Sequence, residues 1–269
     1  MPVLASSGDD IQYILQNQGW VKWLWQGIAG TIVLSVIGTI GGLFLGIFLA
    51  FGKNITIRKN QPWYQKLWRY PIVWLCTIYS IVIRGTPMMV QALIFQYGCL
   101  SLFGLNWNLV LHDVPIFNGW FIAGLIIITF NTAAYMGEIV QAGLNGIGKD
   151  QIEGARSLGM SDYQTLMKVT LPQALRNSIP TVGNEWIVNI KDSSVLNVIS
   201  VTELFFEGKT IAGASYKYMA IYLIIAFIYL VLTLLTTGLL KIISMKMDGK
   251  KFTWKFFHYK EFAFKGDML

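Results

Sequence analysis

The chain has 269 residues, 54% hydrophobic and only 13% charged, with a mean hydropathy of +0.53. Soluble domains carry about 25% charged residues, so this composition excludes an ordinary soluble enzyme or binding module and points to an integral membrane protein. The net charge of +7 gathers in segments that flank apolar stretches, the distribution of the positive-inside rule and not of a nucleic-acid-binding surface.

Residues 1–26 read as an external interfacial segment carrying Trp20, Trp23 and Trp25, with no basic region ahead of an apolar core to suggest a cleaved signal peptide. The first span is 27–51, which is 25 residues without a charge where about 20 suffice. The loop after it holds Lys53, Arg58, Lys59, Lys66 and Arg69 and no acid, so it belongs in the cytoplasm. The next apolar stretch, 70–98, is interrupted by Arg84-Gly85-Thr86-Pro87 and reads as one kinked crossing or two short ones. The segment 99–117 has Asp113 as its one charge and looks external, while the tail from Lys241 carries seven lysines against three acids and looks cytoplasmic. These sides agree if 70–98 crosses once. Further spans are expected at 118–140, 177–202 and 216–243. The fold class is then an all-α integral membrane protein with five transmembrane helices over 27–245, N-terminus outside and C-terminus cytoplasmic, followed by a basic tail at 246–269. Trp63, Trp68, Trp107 and Trp120 are expected in interface belts. Cys76 and Cys99 read as buried small hydrophobes, and His112 and His258 as surface residues without metal-ligand spacing.

Between the third and fourth spans lies a polar island, 141–172, that parity places in the cytoplasm. Its middle reads as helix, turn, helix. A first helix includes Glu153 to Leu158, Gly159 supplies a left-handed turn, and Ser161 caps a second helix with Gln164 three residues on. Pro172 stops that helix or starts the next span, and Tyr163, Leu166 and Met167 form a small apolar patch at helical spacing. An amphipathic loop on the bilayer and a knob that fits a soluble partner both satisfy this pattern.

Glu153-Gly154-Ala155, three residues, Gly159, nine residues and Val169-Thr170-Leu171-Pro172 resemble the EAA signature of permease subunits in bacterial ABC importers, with Gly154 in place of the middle Ala and Val169 in place of Ile. Arg84-Gly85-Thr86-Pro87 with Val90-Gln91, Asn131-Thr132-Ala133-Ala134-Tyr135 and Lys191-Asp192-Ser193-Ser194 resemble the polar amino acid subgroup, the histidine/glutamine/arginine type. The resemblance covers about Trp25 to Met245. It implies that Glu153, Gly154, Ala155, Gly159, Ser161, Tyr163 and Leu166 dock a partner ATP-binding subunit, present in two copies, which holds the ATP and Mg. It also implies a second permease copy or a related permease, an external substrate-binding protein, and a place in the bacterial cytoplasmic membrane. This chain is expected to bind no cofactor or metal and no nucleic acid.

Charges within the bilayer cost about 2.5–3.5 kcal/mol each on insertion scales, so each needs a partner or water. Arg84, beside the backbone amides and the polar Thr86 and Gln91 of the break, suits the carboxylate that every amino acid carries, or else a structural place at the outer interface. Glu185, Asn189 and Asp192, spaced i, i+4, i+7, share a helix face that suits a substrate ammonium, with Asp192 alternatively serving folding or gating. Asn131, Tyr135 and Glu138 repeat that spacing on the third span, with Asn131 deepest and Glu138 toward the cytoplasmic edge. Glu185 tilts toward a basic amino acid, yet suits the α-ammonium of glutamine or another neutral polar substrate equally. No nucleotide-binding loop appears, so ATP hydrolysis is not expected in this chain. A stand-alone ion-coupled secondary amino acid carrier is the rival reading, since carriers also use broken helices and midplane charges.

Overall fold

A computed structural model describes residues 2–55, 62–104, 107 and 118–247. The readings made for His112, Asp113, His258 and most of the basic tail fall outside the described residues. Every element among those described is helical.

The apolar stretch at 27–51 lies inside one longer helix, α2 (Gln18–Lys53, 36 residues). At 1.5 Å per residue it extends about 54 Å, well beyond a ~30 Å hydrocarbon core, so Trp20, Trp23 and Trp25 form its first turns. The break from α1 (Pro2–Gln16) falls at Asn17, whose side-chain oxygen accepts from the Gly19 and Trp20 amides at 3.0 and 3.2 Å. The remaining helices are α3 (Trp63–Gly85), α4 (Met88–Phe103), α5 (Gly119–Asn145), α6 (Lys149–Ser157), α7 (Asp162–Thr165), α8 (Leu171–Asp192), α9 (Leu204–Ser215) and α10 (Tyr218–Met247).

Glycine on α2 sets the packing. A Cβ added at Gly38, Gly42 or Gly46 would lie 2.8, 2.6 and 2.5 Å from Ile128 Cγ2, Thr132 Cγ2 and Met136 Cβ of α5. Small residues let two backbones approach closely, which is how helices associate where lipid offers no hydrophobic drive. Each of these glycines meets the residue 90 positions later, so α2 and α5 run parallel. α8 runs antiparallel to α5, because Gly143 abuts Ala174 and Ser178 while Thr132 bonds Asn189. α10 is antiparallel to α8 in turn: Gly183 meets Leu240, and the Arg176 guanidinium donates to the Met247 carbonyl at 2.6 Å. The ends of α2, α5 and α10 therefore share one side of the bundle with the start of α8.

α3 and α4 meet at Thr86-Pro87 with a bend of 111°. With this bend the single crossing expected over 70–98 is a sharply broken span or a re-entrant turn. Among the described residues α2, α5 and α10 are long and apolar enough to cross a membrane, with a fourth crossing if α3 and α4 count as one. α8 is polar by composition and packs among α2, α5 and α10. It passes at Ser193 into a 3-10 helix, Ser193–Ile199.

Two local features depart from expectation. α9 occupies what read as a connection. Glu203, fully buried, caps it: its carboxylate accepts from the Phe205 and Phe206 amides at 2.9 and 2.7 Å and from the Tyr229 hydroxyl at 2.8 Å. Negative charge suits a helix N-terminus, and the three donors offset part of its desolvation. Trp107, expected in an interface belt, is instead 6% exposed and stacked on Phe95 at 5.6 Å, within a core that includes Leu34, Phe121, Ile128 and Leu196.

Gly46→Val tests the seam. Its side chain would press on the Met136 Cβ and on the Gly137 amide nitrogen, 2.8 Å from the new Cβ. Overpacking of this kind costs about 1–3 kcal/mol. A lower thermal midpoint of the purified protein is expected, whereas Gly98→Ala, where a Cβ meets nothing within 4 Å, leaves the midpoint unchanged or slightly higher.

Candidate functional site

At the break between α3 and α4, carbonyls released by the Gly-Thr-Pro turn need donors. Gln91, on the first turns of α4, supplies them. Its Nε2 donates to the Ile83 carbonyl at 2.7 Å and to the Thr86 carbonyl and hydroxyl, both at 2.9 Å. The Thr86 hydroxyl itself donates to the Val82 carbonyl at 2.8 Å. Asn131 completes the knot, its Nδ2 donating to Gln91 Oε1 at 2.9 Å. Thr86, Gln91 and Asn131 are thus engaged in holding the break against α5.

Arg84 lies beside this knot on the last turn of α3. Side chains slope toward a helix's N-terminus, so its guanidinium reaches back along α3. It sits 5.7 Å from the Tyr135 ring centroid, with Nη1 3.2 Å from Glu138 Oε1. The same Glu138 oxygen pairs with Nζ of Lys53, the last residue of α2. The Lys53 side chain is only 8% exposed, against 45% for Arg84. Asn131, Tyr135 and Glu138 do share one face of α5, and that face receives Gln91, Arg84 and Lys53 in succession. Lys53 was counted in the sequence only as a loop charge. Its position at the end of the apolar run was the available signal.

α8 divides its polar residues between two faces. Asn189, 3% exposed, donates through Nδ2 to Thr39 Oγ1 at 2.8 Å and accepts from Thr132 Oγ1 at 3.1 Å, which joins α2, α5 and α8. Glu185 is half-buried and Asp192 exposed at the end of the helix, and the ion pair of Arg84 is with Glu138 and not with either of them. Asn177, Thr181, Asn184, Val188 and Lys191 are exposed at three- and four-residue spacing. A polar stripe of this kind is stable in a membrane only against water or protein. Beside it, Glu138, Ala142, Gly143, Asn177, Ser178 and Thr181 line a cavity of about 440 Å³ between the end of α5 and the start of α8.

The polar island forms a rigid elbow. α6 ends with the Gly159 amide bonded to the Arg156 carbonyl at 2.9 Å and the Met160 amide to the Ala155 carbonyl at 3.2 Å, the paired bonds of a Schellman motif, with Gly159 at φ +82°. Ser161 Oγ accepts from the Gln164 amide at 3.2 Å, and Gln164 Oε1 accepts from the Ser161 amide at 2.9 Å. Arg156 and Asp162 pair across the turn at 2.9 Å. Helical turns then continue from α7 through a π-helix, Leu166–Thr170, into α8, with Pro172 in its first turn. Pro172 therefore opens α8 and stops nothing. Ala155 is buried, while Glu153, Gly154, Gly159, Ser161 and Tyr163 are exposed. A Cβ at Gly154 would meet nothing within 4 Å, so the departure from Glu-Ala-Ala there carries no steric consequence. Leu166 turns inward to pack beside Ala50, Val140 and Leu144. The exposed apolar tip is instead Leu158 (82%), Tyr163 (71%) and Met167 (39%).

Residues 42–249 match the family described as binding-protein-dependent transport system inner membrane component. The arginine transport system permease protein ArtQ of Bacillus subtilis is 31% identical over 85% of this chain and 94% of its own length. The glutamine transport system permease protein GlnP of Escherichia coli is 30% identical over 84% of this chain and 94% of its own length. A solved structure of an amino acid ABC transporter with histidines superposes with a TM-score of 0.71 at 33% identity, covering 87% of this chain and 98% of that one. The MetNI methionine ABC transporter in an inward-facing conformation shares the fold, with a TM-score of 0.68 at 16% identity over 86% of this chain and 99% of that one.

The Asn189 knot carries a prediction of its own. Asn189→Ala strands the Thr39 and Thr132 hydroxyls in a buried seam, at a cost of about 1–3 kcal/mol. A lower thermal midpoint of the purified protein is expected.

Proposed function

This chain belongs to the family of binding-protein-dependent transport system inner membrane components, and from that premise we propose how it works as the membrane-spanning permease subunit of an ATP-driven importer for a polar amino acid. It is a multi-pass protein of the bacterial cytoplasmic membrane and a transport component. The matches to permeases of ABC systems favour this reading over a stand-alone ion-coupled carrier.

The observation that carries the proposal is the elbow at 149–170, which presents Leu158, Tyr163 and Met167 at the end of the bundle where α2, α5 and α10 finish. A helical knob with an apolar tip, held by a Schellman turn, a capping box and an ion pair, suits a groove on a soluble ATP-binding subunit. Glu153, Gly154, Ala155, Gly159 and Ser161 form or shape that knob. ATP and Mg belong to the partner, which is present in two copies.

The topology we assign is five crossings with the N-terminus outside and the C-terminus in the cytoplasm. Its support is the helix direction: two parallel crossings, α2 and α5, require one return between them, and α3, 23 residues long, is that return. The basic residues that follow α2 and the lysines from Lys241 onward argue for the cytoplasmic side. The exposed polar stripe of α8 faces the translocation pathway and a second permease copy or a related permease, and an external binding protein delivers substrate. By the earlier division of the chain, 27–245 is the permease domain, 141–172 its coupling loop, and 1–26 and 246–269 its flanking segments.

For substrate, Arg84 receives the α-carboxylate over the face of Tyr135, while Thr86, Gln91, Asn131 and Asn189 hold the surrounding frame. Glu185 and Asp192 on α8 supply negative charge for the ammonium end. ATP-driven closure of the ATP-binding subunits moves the elbows, and the elbows rock α5 and α8 so that this region opens alternately outward and inward.

Two measurements test this. Leu158→Glu changes a side chain that touches little of this chain, so the permease still folds; ATP hydrolysis is expected to lose its coupling to uptake, or the ATP-binding subunit to be lost on purification, and intact coupled uptake overturns the docking assignment. Arg84→Ala is expected to weaken substrate affinity about 10- to 100-fold, the factor for a charge-assisted hydrogen bond worth ~1.5–3 kcal/mol. Unchanged affinity removes Arg84 from the site.

A further inference from the structure

Among the described residues Glu138 is the one carboxylate in contact with Arg84, and it sits between two cations of different character. Lys53 is 8% exposed, and its ammonium needs a permanent counter-ion at that depth, which Glu138 supplies. Arg84 is 45% exposed and touches Glu138 through a single nitrogen at 3.2 Å, which leaves other N–H donors of its fork unused by that contact. With Lys53 and Arg84 positive and Glu138 negative, the cluster carries one uncompensated positive charge. An incoming carboxylate neutralises it.

We propose that Glu138 is a built-in competitor for Arg84. In the empty permease it occupies the guanidinium. When substrate arrives it cedes Arg84 to the α-carboxylate and stays with Lys53, and it retakes Arg84 as substrate leaves. The proposal rests on the reading that Arg84 receives the substrate carboxylate. Tyr135 keeps the guanidinium in place during the exchange, because its ring attracts the cation whichever carboxylate is bound. Two carboxylates at one guanidinium repel each other, so Glu138 weakens the bound state and hastens release. It also lines the cavity between α5 and α8, beside Asn177 and Thr181, where a departing amino acid would next find polar partners.

The competition predicts opposite signs for two neutralising substitutions. Equilibrium binding would be measured on the permease–ATPase complex in lipid nanodiscs, without binding protein. The probes are L-arginine, L-glutamine and L-histidine, together with the α-carboxamide of whichever binds the wild type. Glu138→Gln is expected to tighten binding of the amino acid about tenfold, and Lys53→Met, which leaves Glu138 wholly to Arg84, to weaken it about tenfold. In the double variant Glu138 is gone and Lys53 has nothing left to restrain, so binding stays close to the Glu138→Gln level, and affinity for the carboxamide follows neither change. Glu138→Asp, which withdraws the charge from Arg84 but retains it for Lys53, tightens binding to a smaller degree and serves if Glu138→Gln does not assemble. Equal affinity in all variants, or shifts of the same sign, overturns the proposal and leaves Glu138 a structural tie. Arg84→Ala separates the two readings. If it weakens binding while the Glu138 and Lys53 variants do not, the competitor idea fails alone. If it has no effect, or if none of the three amino acids binds, the underlying reading fails with it.

Discussion

Close approach of α2 to α5 along Gly38, Gly42 and Gly46 is the constraint from which the rest of the molecule follows. Inside hydrocarbon, apolar side chains gain nothing by exchanging lipid for protein, so contact between backbones must supply the attraction through dense packing. A side chain at any of these positions would force the helices apart. Because they stay close and parallel, Thr39 and Thr132 both come within reach of Asn189, and the Lys53 side chain comes within reach of Glu138. The buried knot and the charged cluster are both consequences of one glycine seam.

A second demand shapes the α3–α4 break. A chain that bends by 111° releases backbone carbonyls that need donors other than the helix itself. Gln91 answers them with one amide and hands its own oxygen to Asn131, so the bend is fastened to α5 by side chains from both sides of the turn. Arg84 inherits a fixed position from this fastening. Glu203 plays a comparable part beside Gly27 and Gly30 of α2, where its carboxylate satisfies the first amides of α9. In both places polar side chains satisfy the backbone, whereas Arg84 pairs with the Glu138 side chain.

The elbow was legible because it is governed by local rules. A glycine in the left-handed region and a serine with glutamine three residues on act over a few residues, and both Gly159 and Ser161–Gln164 adopt the geometry their spacing implies. The α5 stripe of Asn131, Tyr135 and Glu138 was legible for the same reason, since helical periodicity alone sets its common face. Leu166 was not. Its spacing from Tyr163 suits an exposed patch on a free helix, but the helix runs on into α8 and packs on the end of α5, which draws Leu166 inward and leaves Leu158 at the tip. Asn189 looked like a partner of Glu185 and Asp192 by register. Its neighbours on α2 and α5 decided otherwise, and they lie about 150 and 57 residues away in the chain.

The sequence by itself determined that the protein lives in a membrane, where its main apolar helices lie, which loops are basic, and the shape of the elbow that identifies its family. These depend on composition and on neighbours within one or two turns. Only the tertiary structure decided that α4 leaves α3 at 111°, that Trp107 is core, that Asn189 is a tie, and that Lys53 and Arg84 share Glu138. The physical reason is that a helix presents its whole circumference to selection. Periodicity states which residues share a face, but which face meets lipid, water or another helix is set by partners that are distant in the chain.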